Sequence, residues 1–272
     1  MRVRSVASSV AAVLALASAG AAQAQLQDPM PVVEQVNPHD AQPERPTVAT
    51  HAGTVAPGWV ELEVGIERDD LDGAHVLLTP TVLKFGIAPR VQLELLGSFQ
   101  HLSGTVPDYS GIGDVGAALK WRALEKAPVL GDLALQPSLK LAAGSAKHGT
   151  GNGTTDVSLL LISSHDWGDY ALDINAGYTR RSGDGSGAPK NAMLWAVSFG
   201  APIYEKIGWV AELYGYPRTT GPVGEDGIVA VLTGPTLEVE KWIVLDAGVI
   251  LPVTGAQPHA VYAGLTWNIG KL

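Results

Sequence analysis

The amino-acid sequence predicts an all-β protein, a closed antiparallel up-and-down transmembrane β-barrel of about 12 strands with both termini periplasmic. Three observations indicate this class. After residue 57, apolar and polar residues alternate with a period of two, which is typical of strands because successive side chains point to opposite faces. No sustained helical period occurs in this region. Short and long connections alternate along the chain, as in barrels whose two ends face different compartments.

The chain divides into a leader, a proline-rich segment and the strand-forming region. Residues 1–24 have the features of a secretory signal peptide: two arginines, an apolar stretch that ends at Ala17, and a small-residue cleavage pattern at 22–24. Residues 25–57 contain six prolines and no sustained period, so we expect a flexible N-terminal periplasmic segment. The outer-membrane barrel is expected to occupy residues 58–272.

Clusters of Gly, Pro, Asp and Asn separate the alternating segments and mark the turns between strands. In one of these segments, Val115, Leu119 and Trp121 share one face, whereas Lys120 and Arg122 share the other. The registers of the fifth and tenth segments are the least regular. The predicted strands lie at roughly 58–70, 74–88, 91–101, 113–125, 132–144, 155–165, 169–181, 191–203, 208–217, 228–239, 243–253 and 259–270.

Two folds produce such alternation. A secreted soluble β-sandwich turns its apolar face to a core, and a transmembrane barrel turns it to lipid. The even number of strands, their length and the unequal connections favour the barrel. Glycine and alanine are frequent on the polar face, as a narrow lumen requires, and Trp and Tyr gather near strand ends. We therefore expect the protein in the bacterial cell outer membrane, in contact with its lipids.

The polar face carries the candidate functional residues, because in a barrel it lines the lumen. Twelve strands are intermediate between barrels filled by side chains and barrels that enclose a channel, so a constricted passage gated by residues 25–57 is one interpretation. The other is that the charges cross-link the wall as ion pairs. The predicted lumen-lining residues are Glu61, Glu63, Lys84, Glu94, Asp114, Lys120, Arg122, Lys140, Asp173, Arg181 and Glu212.

Composition and motif searches argue against other classes of function. The formal net charge of −9 and the absence of a basic run indicate no nucleic-acid partner. The absence of cysteine excludes thiolate metal sites, and the histidines lack paired metal-ligand spacing. No nucleophile elbow, His-Glu-x-x-His motif or phosphate-binding loop occurs. We therefore predict no catalytic residue, no metal and no cofactor, in a protein that is not an enzyme.

Two weaker candidate sites have simpler explanations. The aspartates Asp69, Asp70 and Asp72 are better explained by a solvated turn than by a Ca²⁺ site. The run from Ser163 to His165 holds two serines and a histidine, but a strand aims neighbouring side chains in opposite directions. The sequence therefore does not favour a nucleophile and base at this position.

Several segments, taken in order, resemble a known bacterial family. They include GIGDVGAALKWRALE (111–125) and LDAGVILPVTGAQPHAVYAGLTWNI (245–269), and the likeness covers nearly all of residues 44–270. The family comprises outer-membrane proteins named for the MetA pathway of phenol degradation and often labelled transporters. The resemblance implies an outer-membrane β-barrel for the passive passage of small organic solutes, often aromatic or hydrophobic.

Two further classes of function stay open at this point. A structural or adhesion barrel would contact partners through its loops, 102–112, 182–190 and 217–227, so deleting them would abolish binding and leave permeability intact. A soluble periplasmic sandwich that binds a ligand would appear in the osmotic-shock fraction.

Overall fold

The computed structural model of the protein describes residues 37–71, 73–104, 107–182, 189–217, 227–255 and 257–272. The predicted signal peptide and residues 25–36 of the predicted N-terminal segment lie outside this range. No helix among the described residues is long and apolar enough to cross a membrane. The described strands are β1 (Trp59–Leu71), β2 (Ala74–Ala88), β3 (Val91–Ser103), β4 (Tyr109–Ile112), β5 (Val115–Ala127), β6 (Gly131–Leu141), β7 (Asp156–Trp167), β8 (Tyr170–Arg181), β9 (Asn191–Tyr204), β10 (Ile207–Tyr216), β11 (Ile228–Glu240), β12 (Ile243–Thr254) and β13 (His259–Lys271).

Twelve of these strands form a closed antiparallel barrel, which confirms the predicted fold class. Strands that are neighbours in sequence pair around the ring, and β1 pairs with β13 to close it, for example Glu63 with Thr266. The short strand β4 lies in line with β5, and both pair with β3. Closure gives each of the twelve barrel strands two hydrogen-bonded neighbours, which a bilayer requires because it offers no water to unpaired amides.

The largest differences between the observed and the predicted strands are in two places. The predicted loop 102–112 contains β4, which continues the pairing along β3 beyond the end of β5. The predicted strand 132–144 is too long, because β6 ends at Leu141. Just beyond, the amide of Gly144 donates to the Asp114 carboxylate at 3.1 Å. The Gly144 amide is thus hydrogen-bonded to the Asp114 side chain and not to a neighbouring strand, and the strand ends before it.

The apolar series of each strand faces outward and the polar series faces inward. On β5, Leu119 and Trp121 are 40% and 46% exposed, whereas Lys120 between them is fully buried. The same inversion recurs around the barrel, where Leu161 is exposed and Glu61 is fully buried. A soluble protein would bury the leucines and expose the lysine, so the sandwich interpretation is wrong. The apolar exterior and the closed sheet place the protein in the bacterial outer membrane.

The connections distinguish two ends of the barrel. One end, which we call the long-loop end, carries the longer connections, including residues 142–155 between β6 and β7. The first and last barrel residues, Trp59 and Lys271, are register partners at the opposite end. That end, which we call the short-turn end, carries the turns 89–90, 128–130, 168–169, 205–206 and 241–242.

Residues 37–57, which we call the plug, fold into the lumen. Their backbone is hydrogen-bonded to inward side chains of β1, β3, β7, β8 and β10. This differs from the flexible periplasmic segment expected for residues 25–57. The physical reason is that the amides of this irregular, proline-rich chain find acceptors on barrel side chains, although the segment forms no strand of its own.

Candidate functional site

The plug enters the lumen at the short-turn end, where aromatic rings hold its first residues. The His39 ring packs against Trp59 and Trp242, with ring centroids 5.0 and 5.4 Å away. Its Nε2 lies 3.0 Å from the carbonyl oxygen of Asn268. These contacts attach the start of the plug to β1, β13 and the turn before β12.

Two glutamates of β1 bind the backbone of the plug just inside this end. The amide of Gln42 donates to Glu61 Oε2 at 2.7 Å, and the amide of Glu44 donates to Glu63 Oε1 at 2.6 Å. Both wall carboxylates are buried. They supply the acceptors that a neighbouring strand would otherwise offer, and a charged acceptor makes such bonds strong.

The plug then crosses the lumen to the opposite wall. The amides of Val48 and Ala49 donate to the two carboxylate oxygens of Glu212 on β10, at 2.8 and 2.6 Å. Thr50 and Asn175 of β8 exchange two hydrogen bonds, each 2.9 Å long. We call this meeting of residues 48–50 with β8 and β10 the constriction contact.

Beyond the constriction contact, the plug returns to the start of β1. The amide of Ala52 donates to Ser164 Oγ of β7 at 2.8 Å, and the amide of Val55 donates to Gln92 Oε1 of β3 at 2.8 Å. The plug is therefore held by strands on all sides of the barrel and occludes the middle of the lumen.

Buried ion pairs beside β1 link wall residues to one another and to the plug. Lys84 Nζ lies 3.0 Å from Glu61 Oε1 and 2.6 Å from Glu63 Oε1. Lys120 Nζ lies 2.6 Å from Glu44 Oε1, the carboxylate that the plug contributes. Both lysines are fully buried. Taking such charges out of water is costly, so each depends strongly on its partners.

The charge states of the plug follow from these neighbours. Burial would raise the pKa of Glu44, but the ammonium groups of Lys120 and Lys84 outweigh this effect and hold the pKa below its ordinary value. Burial, together with the positive charge of Lys120, lowers the pKa of His51 to about 3. The plug therefore presents an ionised carboxylate and a neutral imidazole to the two lysines.

Arg45 anchors the plug halfway along the lumen. Its guanidinium pairs with Asp246 of β12 at 3.2 Å. It also lies over Gly65 and Gly264, which are register partners on β1 and β13. A Cβ on either glycine would collide with the guanidinium. The two inward glycines thus provide the space that Arg45 occupies.

We expect the substitution Gly264→Val to displace Arg45 and loosen the plug while the barrel stays closed. The readout is hydrogen exchange of the Gln42 and Glu44 amides, which should accelerate about tenfold for every 1.4 kcal/mol by which the plug is destabilised. Ala263→Val is the matched control, because the Ala263 side chain is exposed on the outer face of the same strand and only its backbone carbonyl lies near Arg45, at 3.5 Å. Equal exchange rates in the two variants would contradict the role assigned to Gly264.

A second polar cluster lies at the long-loop end. Lys140 Nζ of β6 lies 2.6 Å from Asp114 Oδ2 and donates to Asn152 Oδ1 at 2.6 Å. Thr150 and Thr154, in the connection 142–155, are each only 2% exposed. This connection therefore folds over the inner rim of the barrel, and the Lys140–Asp114 pair holds it there.

Two cavities lie on the same side of the lumen. The first, of about 380 Å³, opens at the short-turn end between Pro43 of the plug and inward residues such as Ala171 and Gly200. The second, of about 340 Å³, lies at the long-loop end and is lined by residues that include Gly177 and Ala192. Strands β8, β9 and β10 line both cavities. The constriction contact attaches to β8 and β10 between the two sets of lining residues.

The structure distributes the predicted lumen residues over three regions. Asp173 accepts a hydrogen bond from Ser164 at 2.5 Å, and Arg122 lies 3.1 Å from Glu125 at the short-turn end. The long-loop cluster contains Asp114, Lys140 and Arg181. The buried group around the plug consists of Glu61, Glu63, Lys84, Glu94, Lys120 and Glu212. Most of these charges are in ion pairs or hydrogen bonds, and these contacts tie down the plug as well as the wall.

A prediction based on charge omits the neutral residues that hold the plug. Gln92, Ser164 and Asn175 bind its backbone, and the period of two places each of them on the polar face. The alternating pattern therefore identifies them as inward-facing residues, provided that side-chain amides and hydroxyls are considered as well as charges. The plug residues carry no comparable pattern.

Ser163 and His165 do contact each other, because residues two apart on a strand share a face. The distance between Ser163 Oγ and His165 Nε2 is 3.1 Å. The single hydroxyl hydrogen of Ser163 is, however, donated to the Leu130 carbonyl at 2.7 Å. His165 must then act as the donor, so it does not activate the serine. In the described part of the chain, no group of three or more His, Cys, Asp or Glu residues is placed to hold a metal ion.

Comparison with known proteins identifies the fold. No protein-family model matches the chain, and no curated protein matches it. The COG4313 outer membrane channel from Pseudomonas putida F1 is similar in structure, with a TM-score of 0.59 and 14% identity over 79% of this chain and 97% of that one. The NanC porin is similar with a TM-score of 0.52 and 14% identity over 77% of this chain and 100% of that one. The chain therefore has the fold of an outer-membrane β-barrel of the channel and porin type.

Proposed function

We propose that the protein is an outer-membrane channel that lets small organic molecules cross through its lumen. The observation that carries this proposal is the pair of cavities on β8–β10, which approach the constriction contact from opposite ends of the barrel. The fold shared with known channels supports the proposal. By the rule for bacterial barrels, the short-turn end faces the periplasm and the long-loop end faces the exterior.

The two sides of the lumen are filled differently, and this difference defines the path. On the side of β1–β5, long buried side chains such as Glu94 and Lys120 fill the space, and Lys120 binds Glu44 of the plug. On the side of β8–β10, the inward residues include Ala171, Ala196 and Gly200, which leave the backbone as the wall. A solute would therefore travel along β8–β10.

The surroundings of the constriction contact favour an aromatic or hydrophobic solute. A buried apolar and aromatic cluster lies beside it on β9–β13, and Ala49 of the plug packs against this cluster. An apolar ring could take the place of Ala49 once residues 48–50 move, and the tyrosines of the cluster would offer both ring faces and hydroxyls. The sequence resemblance to the phenol-degradation family implies the same class of solute, although no family model matches the chain. The members of the cluster on the wall are Ala196, Tyr214, Ala230, Leu232, Ile250, Ala260 and Tyr262.

Passage requires only a local movement of the plug. Displacing residues 48–50 breaks the hydrogen bonds to Glu212 and Asn175. The earlier part of the plug stays attached through Arg45, and its later part stays attached through Val55. The constriction contact therefore acts as the gate in this proposal, and the remainder of the plug stays bound to the barrel wall.

The proposed path along β8–β10 is tested by placing a large side chain in the first cavity. We expect Gly200→Trp to remove most of the ion conductance in planar bilayers and most of the uptake of labelled phenol by porin-deficient cells, because the indole would occupy the first cavity. A Cβ at residue 200 meets no heavy atom closer than 3.9 Å, so the substitution can be accommodated toward the lumen. Phe199→Trp is the matched control, since Phe199 is exposed on the outer face of the same strand.

Two outcomes would overturn the proposed channel. One is that neither the wild type nor any variant conducts ions or takes up solute, although each forms a folded, heat-modifiable barrel. The other is that Gly200→Trp and Phe199→Trp behave alike, which would place the path elsewhere or remove it.

A further inference from the structure

The cavity at the long-loop end has one polar side and one apolar side. Lys140, Asp156 and Arg181 lie on the polar side. Leu160 and Leu194 lie on the apolar side, next to Gly177 and Ala192. A volume of about 340 Å³ is at the lower end of the range for small-molecule sites and suits a single ring with a short substituent.

Arg181 is the donor in this cavity that lacks a full set of acceptors. Its side chain is only 8% exposed. One terminal nitrogen donates to the Pro189 carbonyl at 2.7 Å, but Nε lies 3.6 Å from Asp156 Oδ2 and makes no hydrogen bond with the described residues. The ammonium group of Lys140, by contrast, already donates hydrogen bonds to Asp114 and Asn152. A buried donor without an acceptor is costly, and a ligand that brings an acceptor would remove this cost.

The guanidinium of Arg181 favours a negatively charged acceptor. Lys140 is already paired with Asp114 at 2.6 Å and with Asp156 at 3.3 Å, whereas Nε of Arg181 lies 3.6 Å from Asp156 and is the cationic group that a ligand can still reach. A guanidinium binds a carboxylate more strongly than a neutral acceptor, through short charge-assisted hydrogen bonds. The apolar side can hold the rest of the molecule.

We propose that this cavity binds a small organic carboxylate, with its carboxylate at Arg181 and its apolar ring or chain against Leu160 and Leu194. This inference rests on the proposed function in one respect, because the cavity is the outer end of the proposed path. Binding itself does not require transport and is measured separately.

The test uses the purified full-length protein in detergent and isothermal titration calorimetry with benzoate and benzyl alcohol. The two probes share a ring and differ in charge. We expect benzoate to bind at least about tenfold more tightly than benzyl alcohol, and Arg181→Gln to remove most of that difference. Arg180→Gln is the matched control, because Arg180 is exposed and donates to Asn191 at 2.7 Å instead of facing the cavity. This variant should bind benzoate as the wild type does.

A second variant keeps the test decisive if Arg181→Gln does not fold. Leu194→Trp fills the apolar side and should abolish benzoate binding without touching the arginine. Equal affinity of the wild type for the two probes, or unchanged benzoate binding in folded Arg181→Gln or Leu194→Trp, would overturn the inference. Benzoate binding without conductance or uptake would refute the channel and leave the binding site standing, whereas conductance without benzoate binding would do the reverse.

Discussion

Glu212→Ala is expected to raise the open probability of the channel in planar bilayers by about tenfold, because Glu212 accepts two backbone hydrogen bonds and each contributes about 0.5–1.5 kcal/mol. The variant removes the acceptor of both the Val48 and the Ala49 amide. Residues 48–50 then lose most of their attachment to β10, and the displaced state becomes more populated. Single-channel recordings measure the effect as longer or more frequent openings.

Two comparisons make this result specific to the constriction contact. Glu212→Gln keeps one carbonyl oxygen as an acceptor, so its open probability should lie between those of the wild type and Glu212→Ala. Glu67→Ala removes another glutamate from the inward series, on β1, whereas the amides of residues 48–50 donate to Glu212 and Asn175. It should leave the openings unchanged. Identical recordings for Glu212→Ala and the wild type would show that this contact is not the gate.

Lys84→Met is expected to destabilise the folded barrel by about 3–5 kcal/mol, since removal of one partner leaves a buried charge uncompensated. Lys84 Nζ lies 3.0 Å or less from Glu61 and Glu63 and 3.5 Å from Glu44, and its side chain is fully buried. Urea titration of the heat-modifiable folded band on gels measures the loss as a lower unfolding midpoint. Because one ammonium group serves three carboxylates, we expect this loss to exceed that from removing any single one of them.

The charge itself can be separated from the volume of the side chain. Adding Glu61→Gln and Glu63→Gln to Lys84→Met removes the uncompensated carboxylates and should restore much of the lost stability. Lys241→Met is the surface control, because its pair with Glu238 is exposed and such pairs contribute at most about 1 kcal/mol. A triple variant as unstable as Lys84→Met would show that packing, and not charge, explains the effect.

The strands could be predicted from the sequence because each one shows its own alternation of polar and apolar residues. Lys120 alternates with Leu119 and Trp121, and that phase is the one observed. Where a strand boundary depends on a contact from elsewhere, the prediction fails. The end of β6 at Leu141 is set by Asp114, which lies between β4 and β5 and captures the amide of Gly144.

The path of the plug through the lumen could not be predicted from the sequence. Its amides bind side chains that are far away in the chain, such as Glu212 for Val48 and Asn175 for Thr50. Arg45 finds its space over Gly65 and Gly264, and these glycines become neighbours only when β1 closes onto β13. No local pattern in residues 37–57 encodes these partners.

The sequence by itself determined the strands of the barrel, their approximate number and the face that each turns to lipid. It did so because a period of two is a local property that every strand shows independently. The tertiary structure alone decided that the lumen is occupied, which wall the open space follows and where the two cavities are separated. Those features depend on acceptors and small residues from distant strands, which meet only after the sheet has closed.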